Sequence, residues 1–239
     1  MKNWIIGVAL VALIALPTSA DWVPEDGHKM HWPQEPLMGG FDVEFSASVL
    51  ADDWECSESG PVDDIHFWIS WMDDLVQPIT DFTVTIWSDN PQGPYGYSQP
   101  DAPLWTQTFM EGDFTRRPQP QDLQDWYDPS IDEFVLDNHQ EWEQINISFI
   151  DDPFIQTEGD IYWLAIDFGT LPFVGWKQSG SPLFNDDAVW FDQIDDKWIE
   201  LIDPVTGASM DLAFVITPEP GTMLLLGCGA VAILRRRRR

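Results

Sequence analysis

Ile65-His66-Phe67-Trp68-Ile69-Ser70-Trp71 decides the fold. Taken two residues at a time, it sets Ile65, Phe67, Ile69 and Trp71 on one side and His66, Trp68 and Ser70 on the other. That is the period of a strand, not the 3.6-residue period of a helix. The alternation recurs in both directions. Upstream, Phe41, Val43 and Phe45 alternate with Asp42, Glu44 and Ser46. Downstream, Phe82, Val84 and Ile86 alternate with Thr83, Thr85 and Trp87, and Ile145, Ile147 and Phe149 with Asn146 and Ser148. Tyr162–Phe168, Val189–Gln193, Lys197–Ile202 and Met210–Ile216 follow, with fainter strands at Leu104–Met110 and Phe134–Asp137. The gaps carry turn chemistry, as in Ser88-Asp89-Asn90-Pro91-Gln92-Gly93-Pro94 and Pro204-Val205-Thr206-Gly207.

No stretch between residues 21 and 217 shows a sustained helical stripe, and Gln121–Tyr127 is the one place where a short helical turn is expected. Eight to ten short strands separated by turns predict an all-β fold, an antiparallel β-sandwich. A jelly-roll-like topology is the first expectation and an immunoglobulin-like one the second. Residues 41–217 are expected to form one domain, preceded by an irregular lead-in over residues 21–40 that is rich in Pro, His and Gly.

Charge is distributed unevenly. Residues 21–217 hold 40 acidic but only five basic residues (Lys29, Arg116, Arg117, Lys177 and Lys197), a net charge of −35. Such a surface repels nucleic acid and anionic lipid, which both need basic contacts. It is also the composition of a protein kept soluble in salty water. The chain is nevertheless not a disordered acidic one, because 13 tryptophans and 14 phenylalanines lie in the same span. Cys56 is the span's single cysteine, so it has no intrachain disulfide partner there, and it reads as a small buried core residue.

The two ends carry export signals. Met1–Ala20 has Lys2, an apolar core from Trp4 to Leu16, and the small-residue exit Thr18-Ser19-Ala20, which predicts a signal peptide cut between Ala20 and Asp21 by signal peptidase. At the other end stand Pro218-Glu219-Pro220, an apolar run from Gly221 to Leu234, and Arg235, Arg236, Arg237, Arg238 and Arg239. As a helix, 14 residues reach roughly 21 Å, short of a hydrocarbon core of ~30 Å. The run can enter a membrane but makes a poor permanent anchor, and the arginines hold the cytoplasmic side. This order of parts resembles the PEP-CTERM sorting signal read by the membrane peptidase-transferase exosortase. The resemblance implies an inner-membrane intermediate, cleavage near the motif, and delivery to the cell surface or extracellular matrix. The segment from Leu50-Ala51-Asp52-Asp53-Trp54-Glu55-Cys56-Ser57 to Pro61-Val62-Asp63-Asp64-Ile65-His66-Phe67-Trp68 resembles the opening of an uncharacterised secreted domain found beside such tails.

Candidate chemistry is sparser. Of the adjacent acid pairs, Asp52-Asp53 and Asp63-Asp64 flank a strand-to-strand connection and are the candidate ligands for calcium, which takes six to eight oxygens. Trp68 and Trp87 fall opposite the core-facing residues, on a face open either to solvent or to a covering loop. If open, they could stack on the sugar rings of an extracellular polysaccharide. His28, His31, His66 and His139 form no His-Glu-x-x-His motif, and no Gly-x-Ser-x-Gly elbow or phosphate loop is present. The expected role is therefore structural or interactive, without catalysis. A calcium-assisted carbohydrate-binding module is the alternative, and a glycoside-active enzyme using paired carboxylates comes third.

Overall fold

The computed structural model describes residues 21–45, 48–180 and 182–217. The leader, the sorting tail with its short apolar run, Ser46, Ala47 and Ser181 lie outside the described residues. In chain order the first strands are β1 (Phe41–Glu44), β2 (Leu50–Glu55), β3 (Gly60–Val62), β4 (Asp64–Trp71), β5 (Asp81–Asn90) and β6 (Gln99–Met110). Next come β7 (Phe114–Pro118), β8 (Gln124–Asp128), β9 (Glu133–His139), β10 (Trp142–Ser148) and β11 (Phe154–Gln156). The last are β12 (Ile161–Asp167), β13 (Val174–Lys177), β14 (Val189–Asp192), β15 (Lys197–Glu200) and β16 (Phe214–Ile216).

These strands build an all-β sandwich, as the alternation requires. One sheet runs β7-β10-β4-β13-β1-β8-β9, with β16 also paired to β4, and the other runs β15-β14-β2-β12-β5-β6. A small two-stranded sheet, β11-β3, sits beside them. The core-facing residues read from the sequence meet between the sheets, except Phe149, which lies just past the end of β10 at φ +62° and is 46% exposed. Val43, Phe67, Ile69 and Ile145 come from the first sheet, and Val84, Ile86, Leu164 and Ile166 from the second, all fully buried. Edge-on aromatic contacts join them, such as Phe67 with Phe82 at 5.5 Å between ring centres and Phe45 with Phe168 at 4.8 Å. Such pairs add roughly 0.5–1.5 kcal/mol each beyond the area they bury.

Residues 121–127 do not form a helical turn. Gln124–Asp128 is strand β8, which pairs with β1 in parallel, whereas the other ladders among the described residues are antiparallel. Gln124 and Trp126 are buried on one face while Tyr127 packs into the core from the other. Pairing with a distant strand has overridden a weak local preference. Gly175 makes room for this arrangement, since a Cβ there would sit 2.8 Å from the Trp126 ring.

The lead-in has no regular strand, but it is stitched to the body by single bridges, Met30 to Cys56, Gln34 to Phe214 and Pro36 to Ser179. Its first residues cross the outer face of the larger sheet. Trp22 packs edge-on against Trp68 at 5.7 Å, and the Gln144 amide donates to the Trp22 carbonyl. All eight residues of β4 are consequently buried.

That covered outer face holds a charged cluster. The Lys177 ammonium donates to Asp42 Oδ1 at 3.1 Å and to Gln124 Oε1 at 2.7 Å, and it lies 4.8 Å from the centre of the Trp142 ring. His139 Nε2 lies 2.8 Å from Asp42 Oδ2, and the side chains of Asp42, His139 and Lys177 are fully buried. Burial pushes the Asp42 carboxyl up, but Lys177 and His139 outweigh it and hold the group below the usual carboxylate range. Removing one partner of such a pair strands the other charge. Lys177→Met is expected to cost about 3–5 kcal/mol, with the double change Asp42→Asn/Lys177→Met recovering most of the loss. Chemical denaturation reads both; a single variant as stable as the parent would remove the pair from its structural role.

Candidate functional site: buried acids and two surface depressions

The two acid pairs serve different corners of the fold. Asp52 and Asp53 lie in the middle of β2 and are fully buried. Asp52 turns both oxygens to backbone donors, Leu212 N at 2.6 Å and its neighbour Asp53 N at 2.7 Å, and the Gln34 amide adds a third bond at 3.2 Å. Asp53 accepts from the Asn185 amide at 2.7 Å. Asp63 fills the single position between β3 and β4, and Asp64 opens β4. Asp64 accepts from Ser148 at 2.8 Å and lies 3.3 Å from His66 Nε2. Among the described residues, no three Asp, Glu, His or Cys side chains come together as a metal centre, so the pairs are not joined into one. In this structure Asp52, Asp53 and Asp64 act as internal hydrogen-bond acceptors.

The tryptophans are also placed by what covers them. Trp68 is 3% exposed, because Trp22 of the lead-in lies over it. Trp87 is half-buried on the outer face of the second sheet, where it packs edge-on against Trp198 at 6.1 Å beside Trp163 and Val189. Trp68 therefore has no open ring face for sugar stacking, whereas Trp87 stays partly exposed.

Sequence reasoning missed Asp211, the third member of the acid cluster around β2. It is fully buried, accepts from Phe184 N at 2.8 Å, and lies close enough to raise the carboxyls of both Asp52 and Asp53. Burial is the main cause of the high values of all three groups. It pushes Asp211 up to about 7, with the Asp187 charge adding to the rise and the Phe184 amide opposing it. Oδ1 of Asp211, Oδ1 of Asp53 and Oε1 of Gln34 are buried with no donor. A proton kept on one of these carboxyls would supply the missing donor, at lower cost than burying three negative charges together. No local pattern could have revealed Asp211, which lies far along the chain from β2.

Two surface depressions are notable among the described residues. The first, of about 240 Å³, is lined by Trp71, Trp142, Val76, Arg116, Glu141 and Glu143. Its polar groups already satisfy one another. Arg116 grips Glu143 through Nε at 2.8 Å and a second nitrogen at 2.5 Å, its third reaches the Gln77 carbonyl, and Trp71 Nε1 donates to Glu143 at 2.9 Å. The second is an open groove of about 690 Å³ between β11, β12 and the β5–β6 pair, with Phe154, Ile155, Leu104, Tyr162, Asp89 and Asp160 on its walls.

The protonated acid predicts a pH dependence. With its carboxyl pushed up to about 7 by burial, Asp211 holds a proton in the folded state over a range in which an unfolded aspartate, at its ordinary value of 3.8, has released it. Between those pH values the folded state binds more protons, so this group's contribution to stability is full below pH 3.8 and declines as the pH rises towards 7. Asp211→Asn abolishes that decline. Its stability relative to the parent is expected to improve by about 1–4 kcal/mol between pH 4 and pH 8. Urea denaturation at both pH values measures the difference, and an equal gap at both would show that Asp211 holds no such proton.

Comparison with known proteins adds two matches. The PEP-CTERM protein-sorting motif covers residues 217–239, which gives the chain the address of an exosortase-processed, exported surface protein. No curated protein and no solved structure matches the chain. A family model described as "Domain of unknown function (DUF7901)" matches residues 30–217, nearly the whole of the described body, and the chain belongs to that family.

Proposed function

We propose that the folded body, displayed at the cell surface or in the extracellular matrix, has a structural or interaction role without catalysis. The observation that carries this reading is the internal use of the two buried histidines and of Glu143. His139 is held by Asp42, His66 lies between Asn146, Thr217 and Asp64, and Glu143 is clamped by Arg116. Burial holds His66 down to about 4, so it stays neutral as a hydrogen-bonded interior residue. These side chains brace the sheet.

The sorting tail supports the location. Before processing, the leader and the Gly221–Leu234 run would hold the chain at the inner membrane, with the arginines inside and Pro218-Glu219-Pro220 at the outer face. Signal peptidase and exosortase are then the two processing partners. The body ends right where the motif begins. Thr217 is buried, its amide donates to the Asp64 carbonyl, and its hydroxyl lies 3.3 Å from His66 Nε2. A second reading, carbohydrate binding without turnover, is favoured by the open groove beside β11.

Deleting residues 218–239 is expected to turn a surface-retained protein into one that is exported and released unsorted. Fractionation of cells and medium follows the change. Retention at the surface without the tail would sink the sorting mechanism, and carbohydrate release from a polysaccharide panel by the purified protein would sink the non-catalytic reading.

A further inference from the structure

The groove beside β11 differs from the smaller depression in what its walls leave available. Ile155 is 62% exposed and Leu104 is 47% exposed, so two large apolar side chains face water within one groove. Phe154 backs them, half-buried and edge-on to the Tyr162 ring at 5.0 Å. Gly159, at φ +85°, turns the chain at the groove with open space where a side chain would stand.

Two carboxylates border this apolar strip, and each is fixed by a bond within the protein. Asp89 Oδ1 accepts from Ser98 Oγ at 2.5 Å and Trp163 Nε1 at 2.9 Å. Asp160 Oδ2 accepts from the Tyr162 hydroxyl at 3.2 Å. A carboxylate has about four acceptor positions, so these bonds orient both groups without exhausting them.

We propose that this groove binds a neutral, hydroxyl-rich polysaccharide chain. The proposal rests on the interaction role argued above and assigns that role its ligand class. The C–H faces of sugar rings would lie on Leu104, Phe154 and Ile155, removing those apolar surfaces from water. Sugar hydroxyls would donate to Asp89 and Asp160, and hydrogen bonds to ionised acceptors are the stronger kind. The groove is open along the surface, which suits a passing chain, and about 690 Å³ lies within the usual range of roughly 300–1,000 Å³ for ligand sites. Charge makes the selection. A body with a net charge of −35 and carboxylates in its groove repels a uronate or sulfated polymer and tolerates a neutral one.

The test uses the exported, processed protein with cellohexaose, xylohexaose and mannohexaose as neutral probes and an oligogalacturonate as the anionic one. Calorimetric titration is expected to show saturable binding of at least one neutral probe and none of the anionic probe. Ile155→Asp is expected to weaken binding at least tenfold and Asp160→Asn about threefold. Ile194→Asp, at a site that is 93% exposed in the turn between β14 and β15, should leave it unchanged. Matching unfolding midpoints establish that the variants are folded. Absence of binding to all three neutral probes, equal binding of the oligogalacturonate, or undiminished binding by both groove variants would each overturn the proposal. Surface retention is scored separately on the same protein. Retention without binding of any neutral probe overturns the groove assignment alone, whereas turnover of a probe overturns the non-catalytic reading beneath it.

Discussion

Burial of β4 on both faces is the constraint on which the rest of the structure depends. A strand in a sandwich normally buries one face and wets the other. Here the inner face meets the second sheet, and the lead-in helps cover the outer one, so all eight residues from Asp64 to Trp71 lie inside. The outer residues include polar ones, His66 and Ser70; the neighbouring strands β10 and β13 add Asn146, Gln144 and Lys177, and β1 beyond β13 adds Asp42, to the same buried layer. Groups removed from water in this way must find partners within the protein. The bonds of His66 to Asn146, Gln144 to Trp22 and Lys177 to Asp42 follow from that requirement. The lead-in is therefore part of the fold and not a linker to it.

The scarcity of basic residues explains the contrast between the two buried acid sites. Asp42 has Lys177 and His139, which hold it in the ionised form. Asp52, Asp53 and Asp211 are instead raised by burial and by the charges of other acids. With five basic side chains in the body, all in demand, the cluster around β2 is left to hydrogen bonds and protons. High negative charge thus reaches beyond solubility. It sets how the interior is neutralised, and it favours a neutral ligand over an anionic one in the groove beside β11.

Much of this was legible in the sequence, and the limits are physical. Ile65–Trp71, Phe82–Trp87 and Ile145–Ile147 form strands where the alternation says, because their apolar residues share a face that the core demands. The short strands β3, β7, β11 and β13 gave little such signal; three to five residues cannot establish a period, and Gly175 and Pro118 blur it further. Gln121–Tyr127 misled because a weak local preference was outweighed by parallel pairing with β1. Trp68 was correctly placed opposite the core, yet which cover lay over it was open, since Trp22 comes from 46 positions away. Of the candidate site, the acids at 52 and 53 stood out as a pair, whereas Asp211, Asp89 and Asp160 looked like any other acids in an acidic chain.

The sequence by itself determined the class of fold, the membership of the inner core, the acidity of the body and the sorting address. Each of these is written locally, in the period of a strand, the composition of a span or the order of parts in a tail. Only the tertiary structure decided which buried charge is compensated, which tryptophan is covered and where a groove opens. Those outcomes depend on side chains far apart in the chain, such as Asp42 and Lys177, separated by 135 positions. A carboxylate's chemistry is set by the neighbours that folding brings to it, and those neighbours are not encoded in its spacing.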